Sequence, residues 1–154
     1  MIKAELMNSK EVKKLQSIMD EQYGTHLEGF FYKGSKNRIY LGTRFTRLIE
    51  FKKVNAEGVG LYIGRLRDDG FRPSIEGVQL LRPEKNVYEL SKEQLWDWLR
   101  GYKITINTDY EGYCALSHQG EIIGPGKIKN KKVWNYVPKN RRIRTLIKKQ
   151  VEKD

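Results

Sequence analysis

The sequence has little of what disulfides, metal sites and membrane spans require. It holds one cysteine, Cys114, and two histidines, His26 and His118, so no intramolecular disulfide and no zinc-type Cys/His cluster is expected. Its longest apolar runs are only a few residues, as at 30–32, and its first residues lack the apolar core of a signal peptide. We therefore expect a cytoplasmic protein in a reducing compartment, with no metal and no membrane partner.

Acidic residues are missing from one long stretch of the chain. Residues 122–151 carry ten Lys and Arg and no Asp or Glu, whereas residues 1–121 carry 19 basic and 17 acidic side chains. The formal net charge of +11 therefore comes mostly from one segment. Segregated positive charge of this kind indicates a polyanionic partner rather than a particular fold.

The first half of the chain predicts a mixture of helix and strand. The periodicity of residues 8–22 predicts an amphipathic helix, with Asn8 and Glu11 as a capping pair and Gly24 closing the end. The segments LEGFFYKG and NRIYLG predict a hairpin, TRFTRLIEF a helical turn or strand, and GVGLYIGRL a further strand. SIEGVQLL predicts a short helix that stops before Pro83.

The second half predicts a small, strand-rich unit. After a short strand at VYEL, SKEQLWDWLR predicts a helix with Ser91 and Gln94 as a capping box, Leu95 and Leu99 on one face, and Gly101 at its end. Strands follow at YKITI, GYCALSH and EIIGPGKI, and the turn KNKK leads to VWNYV. The predicted class is α+β, with an α/β region at 1–82 and a barrel-like domain at 83–154.

Motifs for catalysis are weak. The sequence GPGK at 124–127 lacks the second glycine and the Lys-Ser/Thr helix start of a nucleotide-phosphate loop, so its glycines are expected in a strand. The pair Asp68 and Asp69 precedes a glycine and predicts a turn, and Cys114 lies in a strand-like run as a small core residue. No glycine-rich unit for a dinucleotide or S-adenosylmethionine is present. We expect no enzymatic activity and no cofactor.

Aromatic residues interleave with the basic segment. In a strand, Lys132, Trp134 and Tyr136 would share one face, leaving Val133 and Val137 for the core. Aromatic rings offer stacking surfaces for unpaired bases and cations meet phosphates, so this face predicts RNA contact. The alternative is that both rings pack under a neighbouring element and the charges form a solvated rim.

The order of these motifs resembles a known module. LRGYKI, then YEGYCALSHQGEIIGPGKIKNKKVWNYVPKNRRI, resembles the PUA-like RNA-binding module at the C-terminus of Sun/Fmu-type rRNA 5-methylcytosine methyltransferases. The upstream GLYIGRLRDDGFRPSIEGVQLL resembles the segment that precedes that module. The resemblance implies a pre-PUA region followed by a PUA-like pseudobarrel. The catalytic domain of the methyltransferases, with its Pro-Cys motif, is absent from this sequence, so RNA binding is implied and methylation is not.

These considerations predict a non-catalytic protein that binds structured rRNA or tRNA in ribosome biogenesis or RNA modification, with a modifying enzyme or assembly factor as a further partner. An RNA-modifying enzyme on a PUA-like fold, or an adaptor that docks an acidic protein, are the alternatives. The resemblance and the charge together give these RNA-binding candidates: Arg100, Gly101, Tyr102, Gly124, Gly126, Lys127, Lys129, Lys131, Lys132, Trp134, Tyr136, Lys139, Arg141, Arg142 and Arg144.

Overall fold

A computed structural model describes residues 4–42 and 60–143 of the chain. The chain divides into two compact units, an N-terminal unit of residues 1–85 and a C-terminal unit of residues 86–154. Helices and strands mix in both, which confirms the α+β class. The prediction for TRFTRLIEF, residues 43–51, lies outside the described residues, as does Arg144.

The N-terminal unit is built on a five-stranded antiparallel sheet. Neighbouring strands in the sheet are also consecutive in the sequence: β1 (Glu5–Leu6), β2 (Phe30–Lys33), β3 (Arg38–Gly42), β4 (Leu61–Arg67) and β5 (Gly70–Pro73). The predicted hairpin is β2–β3, and β5 is a strand that the sequence patterns did not indicate. Two helices accompany the sheet, α1 (Ser9–Tyr23) and α2 (Ile75–Leu81).

Helix α1 begins and ends where its local sequence predicts. The Asn8 side chain accepts from the backbone N–H of Glu11 at 2.8 Å, and the Glu11 carboxylate accepts from that of Asn8 at 3.1 Å. Gly24 adopts φ +73° and stops the helix. Leu15, Met19 and Tyr23 form its buried stripe, as the periodicity predicts.

The C-terminal unit is a curled half-barrel. Its elements are β6 (Val87–Glu89), α3 (Lys92–Leu99), β7 (Ile104–Thr105), β8 (Gly112–His118), β9 (Glu121–Lys129) and β10 (Lys132–Asn135). The strands lie in the order β6-β8-β9-β10-β7, with β6 parallel to β8 and the other neighbours antiparallel.

One face of this sheet closes on a hydrophobic core. Trp98 of α3 is 1% exposed and is the deepest residue of its helix, whereas Leu95 and Leu99, which the pattern favoured, are half-buried. The core contains Leu90, Trp98, Ile104, Cys114, Leu116, Ile128, Val133 and Val137. The opposite face of β9 and β10 is therefore the one that can meet a partner.

No helix within residues 4–42 and 60–143 combines the length and the apolar character that crossing a bilayer requires.

Candidate functional site

Three lysines and a tryptophan share the face of the C-terminal sheet that points away from the core. The register of β9 and β10 sets Lys132 opposite Lys129 and Trp134 opposite Lys127, and cross-strand partners project to the same side. Between them, Val133 and Ile128 point to the core and are 0% and 1% exposed. We call Lys127, Lys129, Lys132 and Trp134 the lysine–tryptophan face.

Trp134 stays 45% exposed although it is the largest side chain of its strand. The Lys103 ammonium lies 3.7 Å from the centre of the indole ring, which is a cation–π contact. Strand pairing explains the position of Lys103. In the register of β7 against β10, Thr105 is opposite Lys132 and Ile104 is opposite Val133. Continuing that register by one residue places Lys103 opposite Trp134. The indole is thus held in place by a cation and keeps surface for a ligand.

Lys127 lies beside a second aromatic ring. It is opposite Tyr113 of β8, and its ammonium is 5.2 Å from the Tyr113 ring centre. Tyr113 is only 4% exposed, so it supports the lysine rather than offering a stacking surface itself. The sequence reasoning missed both Lys103 and Tyr113 because their roles depend on pairing between distant segments. A sequence signal for Lys103 exists in LRGYKI, where it directly follows Tyr102.

Tyr136 does not lie in β10, and this corrects the predicted alternation. The strand ends at Asn135, whose side-chain amide donates to the backbone carbonyls of Trp98 and Tyr102. Its side-chain oxygen accepts from the Val137 N–H at 2.7 Å. These bonds end the strand and leave Tyr136 half-buried beyond it. Lys132 and Trp134 keep the predicted shared face, and Val133 and Val137 lie in the core as predicted.

The end of α3 presents an arginine and a tyrosine. The Arg100 guanidinium pairs with Asp97 and lies 4.8 Å from the centre of the Tyr102 ring. Tyr102 is 51% exposed, whereas the Arg100 side chain is only 13% exposed. Tyr102 can therefore meet a ligand, while the charge of Arg100 is largely compensated inside the protein.

Gly101 and Arg142 have a packing relationship. Gly101 adopts φ +90°, and a side-chain carbon built on it would lie 2.5 Å from Cδ of Arg142 and 2.6 Å from its Cζ. Nε of Arg142 donates to the Val137 carbonyl at 3.0 Å. Arg142 thus packs across the end of α3 and connects it to the segment that follows β10.

The remaining candidates are scattered. Gly124 and Gly126 are buried in β9, and a side chain at Gly126 would meet Val133 and Cys114 in the core. Lys131 lies at the β9–β10 turn, where its ammonium contacts Asn107, Thr108 and Asp109 at 3.2–3.4 Å. Lys139 and Arg141 lie in an exposed 3-10 turn. The predicted set thus divides between an open sheet face and a helix end, and Gly124 and Gly126 belong to the core.

Nucleophilic chemistry finds no support at Cys114. The thiol is 0% exposed, and burial raises its pKa to about 12, so almost no thiolate exists near neutral pH. This agrees with its prediction as a core residue.

Each of the two histidines has a hydrogen-bond partner within the protein. Nδ1 of His118 lies 2.7 Å from the Leu90 carbonyl oxygen, and Nδ1 of His26 lies 2.8 Å from a carboxylate oxygen of Asp20. The hydrogen bond to Asp20 raises the pKa of His26. Across residues 4–42 and 60–143, no three His, Cys, Asp or Glu side chains gather as a metal site would require.

Residues 85–143 match the family described as the methyltransferase RsmF PUA domain. This span covers the C-terminal half-barrel, so the predicted PUA-like domain, similar to the C-terminal module of the Sun/Fmu methyltransferases, is confirmed. The PUA domain family points to RNA as the class of ligand. No curated protein matches the chain.

Proposed function

We propose that this protein, whose residues 85–143 form a PUA-like domain, is a non-catalytic cytoplasmic protein that binds structured rRNA or tRNA in ribosome biogenesis or RNA modification. A modifying enzyme or an assembly factor on another chain would act on the RNA that it holds. The lysine–tryptophan face is the proposed contact surface.

The observation that carries this proposal is the arrangement around Trp134. A half-exposed indole stands on an open sheet face, with the Lys103 ammonium against its ring and Lys127 opposite it on β9. An unpaired base can stack on the indole while the ammonium groups meet the flanking phosphates. Lysines supply sequence-independent affinity, and the stacked base adds a preference for unpaired nucleotides.

The burial and hydrogen bonding of Cys114, His118 and Glu89 support the proposal that the protein is not a catalyst. The Cys114 thiol is enclosed and protonated, and His118 is bonded to a backbone carbonyl. Glu89, the carboxylate near His118, accepts from the Gln119 N–H and the Ser117 hydroxyl, and these bonds lower its pKa. The bonds of His118 and Glu89 join the end of β8 to the end of β6.

The test is RNA affinity across salt. Labelled rRNA and tRNA fragments are titrated with the full chain, with Trp134→Ala, with Lys132→Gln and with Lys92→Gln. We expect Trp134→Ala to cost about 1–3 kcal/mol of binding free energy, which is typical for one stacked base. Lys132→Gln should make the salt slope shallower by about one, as expected for one lost phosphate contact. Lys92→Gln is the control, because it removes an equal charge from the exposed first turn of α3.

Two results would contradict the proposal. The first is an RNA affinity that is absent or unchanged between low and physiological salt. The second is poly-glutamate binding as tight as RNA binding and indifferent to Trp134, which would indicate an acidic protein partner instead.

A further inference from the structure

Arginines line up across three neighbouring strands of the N-terminal unit. The register sets Arg38 of β3 opposite Arg65 of β4, and Arg65 opposite Arg72 of β5. Arg67 lies two residues beyond Arg65 on β4 and so projects to the same side. Side chains directly opposite each other in a sheet are about 5 Å apart at Cβ. We call Arg38, Arg65, Arg67 and Arg72 the arginine row.

The arginine row lies on the face of its strands opposite Phe71, and the same face carries a buried cluster of Tyr32 and Tyr40 with Tyr62 packed against it. The residues that alternate with it include Leu66 and Phe71, which are opposite each other, and Phe71 is 0% exposed. The Gln22 side chain of α1 donates to the Phe71 carbonyl and accepts from the Phe71 N–H, at 2.8 Å each. The arginines therefore occupy the opposite side, where Arg67 is exposed and the other three are half-buried.

This alignment costs stability, because like charges directly opposite in a sheet repel. Among the described residues, no carboxylate lies within ion-pair distance of Arg38, Arg65 or Arg67. Within that same part of the chain, Nε of Arg65 is enclosed without an acceptor. Arg72 and Asp69 have interactions of their own, so in the described part of the chain the charges without a carboxylate partner are those of Arg38, Arg65 and Arg67.

We propose that the arginine row is a second RNA contact, which binds backbone phosphates. The inference rests on the proposed function, and it places a contact outside the matched residues 85–143. A guanidinium presents several fixed donors that pair with phosphate oxygens, which is why arginine is common at phosphate sites. A phosphate would also relieve the repulsion that the row creates. The total charge of residues 1–121 concealed this surface, because acidic residues elsewhere in that range balance it.

Phosphates fit this surface better than an acidic protein does. Protein interfaces depend on apolar or aromatic anchors at their centre. Among the described residues of this unit, the exposed large apolar side chains are Leu6, Leu61 and Leu80. Leu6 projects to the same face but lies on the edge strand β1, with β2 between it and Arg38. Leu80 is on α2, and Leu61 is opposite Leu41 on the other side of the sheet. Beside the arginine row, the rings of Tyr40 and Tyr62 are buried and half-buried, so the described surface offers charge and donors without an exposed apolar anchor.

The test uses the full chain and a labelled RNA stem-loop with single-stranded flanks. Arg38→Gln with Arg65→Gln removes two neighbouring charges, and Lys13→Gln with Lys14→Gln removes two exposed charges from α1 as the matched control. We expect the arginine double variant to bind RNAs of different sequence more weakly to a similar extent, with a salt slope shallower by about two. The control should bind as the wild type does.

Thermal unfolding distinguishes the loss of an RNA contact from destabilisation of the fold by the arginine double variant. Because the variant relieves repulsion, its unfolding temperature should not fall below that of the wild type. If the unfolding temperature falls, the double variant Arg38→Lys with Arg65→Lys provides the test. This variant keeps both positive charges, so its salt slope should match that of the wild type if the arginine row binds phosphates. A lysine variant with the shallow slope of the glutamine variant would overturn the inference.

Failure of this inference is distinguishable from failure of the proposed function. If Trp134→Ala weakens RNA binding while the arginine double variant matches the wild type in affinity and slope, only the arginine row is refuted. If the wild type binds no RNA, both proposals fall. If the double variant loses binding to poly-glutamate and keeps its RNA affinity, the row is an acidic-peptide site and the inference is overturned.

Discussion

A side-chain carbon on Gly101 would lie 2.5 Å from Cδ of Arg142, so the arginine passes through the space that any other residue would fill. The same arginine donates to the Val137 carbonyl, and the Ile143 N–H donates to the Leu99 carbonyl at 2.9 Å. The segment after β10 is thereby tied to the end of α3. The Arg-Gly pair at 100–101 has a structural reason in addition to any contact with RNA.

We predict that Gly101→Ala destabilises the protein by about 2–4 kcal/mol, because it combines a positive φ with a collision. Gly120→Ala is the matched control, since Gly120 has φ +80° and no heavy atom within 4 Å of an added carbon. That control should lose only about 1–2 kcal/mol, the cost of the left-handed backbone. Chemical denaturation measures both, and equal losses would show that Arg142 yields without cost.

Gly126 gives a second packing prediction, in the middle of β9. An added carbon would lie 2.6 Å from Cγ1 of Val133 and 3.3 Å from Sγ of Cys114, at a backbone conformation that permits any residue. We expect Gly126→Ala to cost about 1–3 kcal/mol through overpacking. Adding Val133→Ala should restore part of that loss, and a double-mutant cycle on unfolding free energies measures the coupling. Purely additive losses would contradict this account of the glycine.

The Cys114 thiol should make stability fall at alkaline pH. Burial raises its pKa from 9.0 to about 12, so above pH 9 the unfolded chain loses this proton while the folded protein keeps it. Its contribution to stability is complete below pH 9 and is lost as pH rises toward 12. The burial-raised pKa of Tyr110, also about 12, acts in the same direction.

Unfolding free energies at pH 8 and pH 10 test this, with Cys114→Ala as the comparison. The wild type should lose more stability than Cys114→Ala over that interval, because the variant lacks the thiol. An equal loss in both would show that the thiol is not the cause.

The elements that the sequence predicts well are those whose signals are local. The capping box of Asn8 and Glu11, the stop at Gly24 and the extent of β8 need only neighbouring residues, and the structure confirms them. Val133 alternates with Trp134 as expected for the same reason.

What the sequence does not predict depends on pairing between distant segments. Lys103 reaches Trp134 because β7 pairs with β10, and nothing local in YKITI specifies that partner. The arginine row exists because an irregularity at Ile39/Tyr40 shifts the register of β3 against β4, bringing Arg38 opposite Arg65. Tyr136 was misplaced because Asn135 ends the strand through bonds to the distant Trp98 and Tyr102 carbonyls.

Lys131 allows a structural role to be separated from RNA contact. Asn130 and Lys131 form the two-residue turn between β9 and β10 with φ +52° and +64°, the conformation in which Asn-Gly is preferred. The positive φ of Lys131 destabilises the folded protein by about 1–2 kcal/mol. The exposed contacts of its ammonium with Asn107, Thr108 and Asp109 stabilise the folded protein by about 1 kcal/mol or less. Lys131→Gly should therefore leave the protein as stable or make it more stable.

RNA titration of the same variant shows where the Lys131 charge acts. Because its ammonium already contacts the 107–109 loop, we expect Lys131→Gly to change the salt slope less than Lys132→Gln, whose side chain belongs to the lysine–tryptophan face. A slope change of about one for Lys131→Gly would mean that the lysine leaves Asp109 for a phosphate when RNA binds. In that case the edge of the RNA contact extends from the sheet face to the β9–β10 turn.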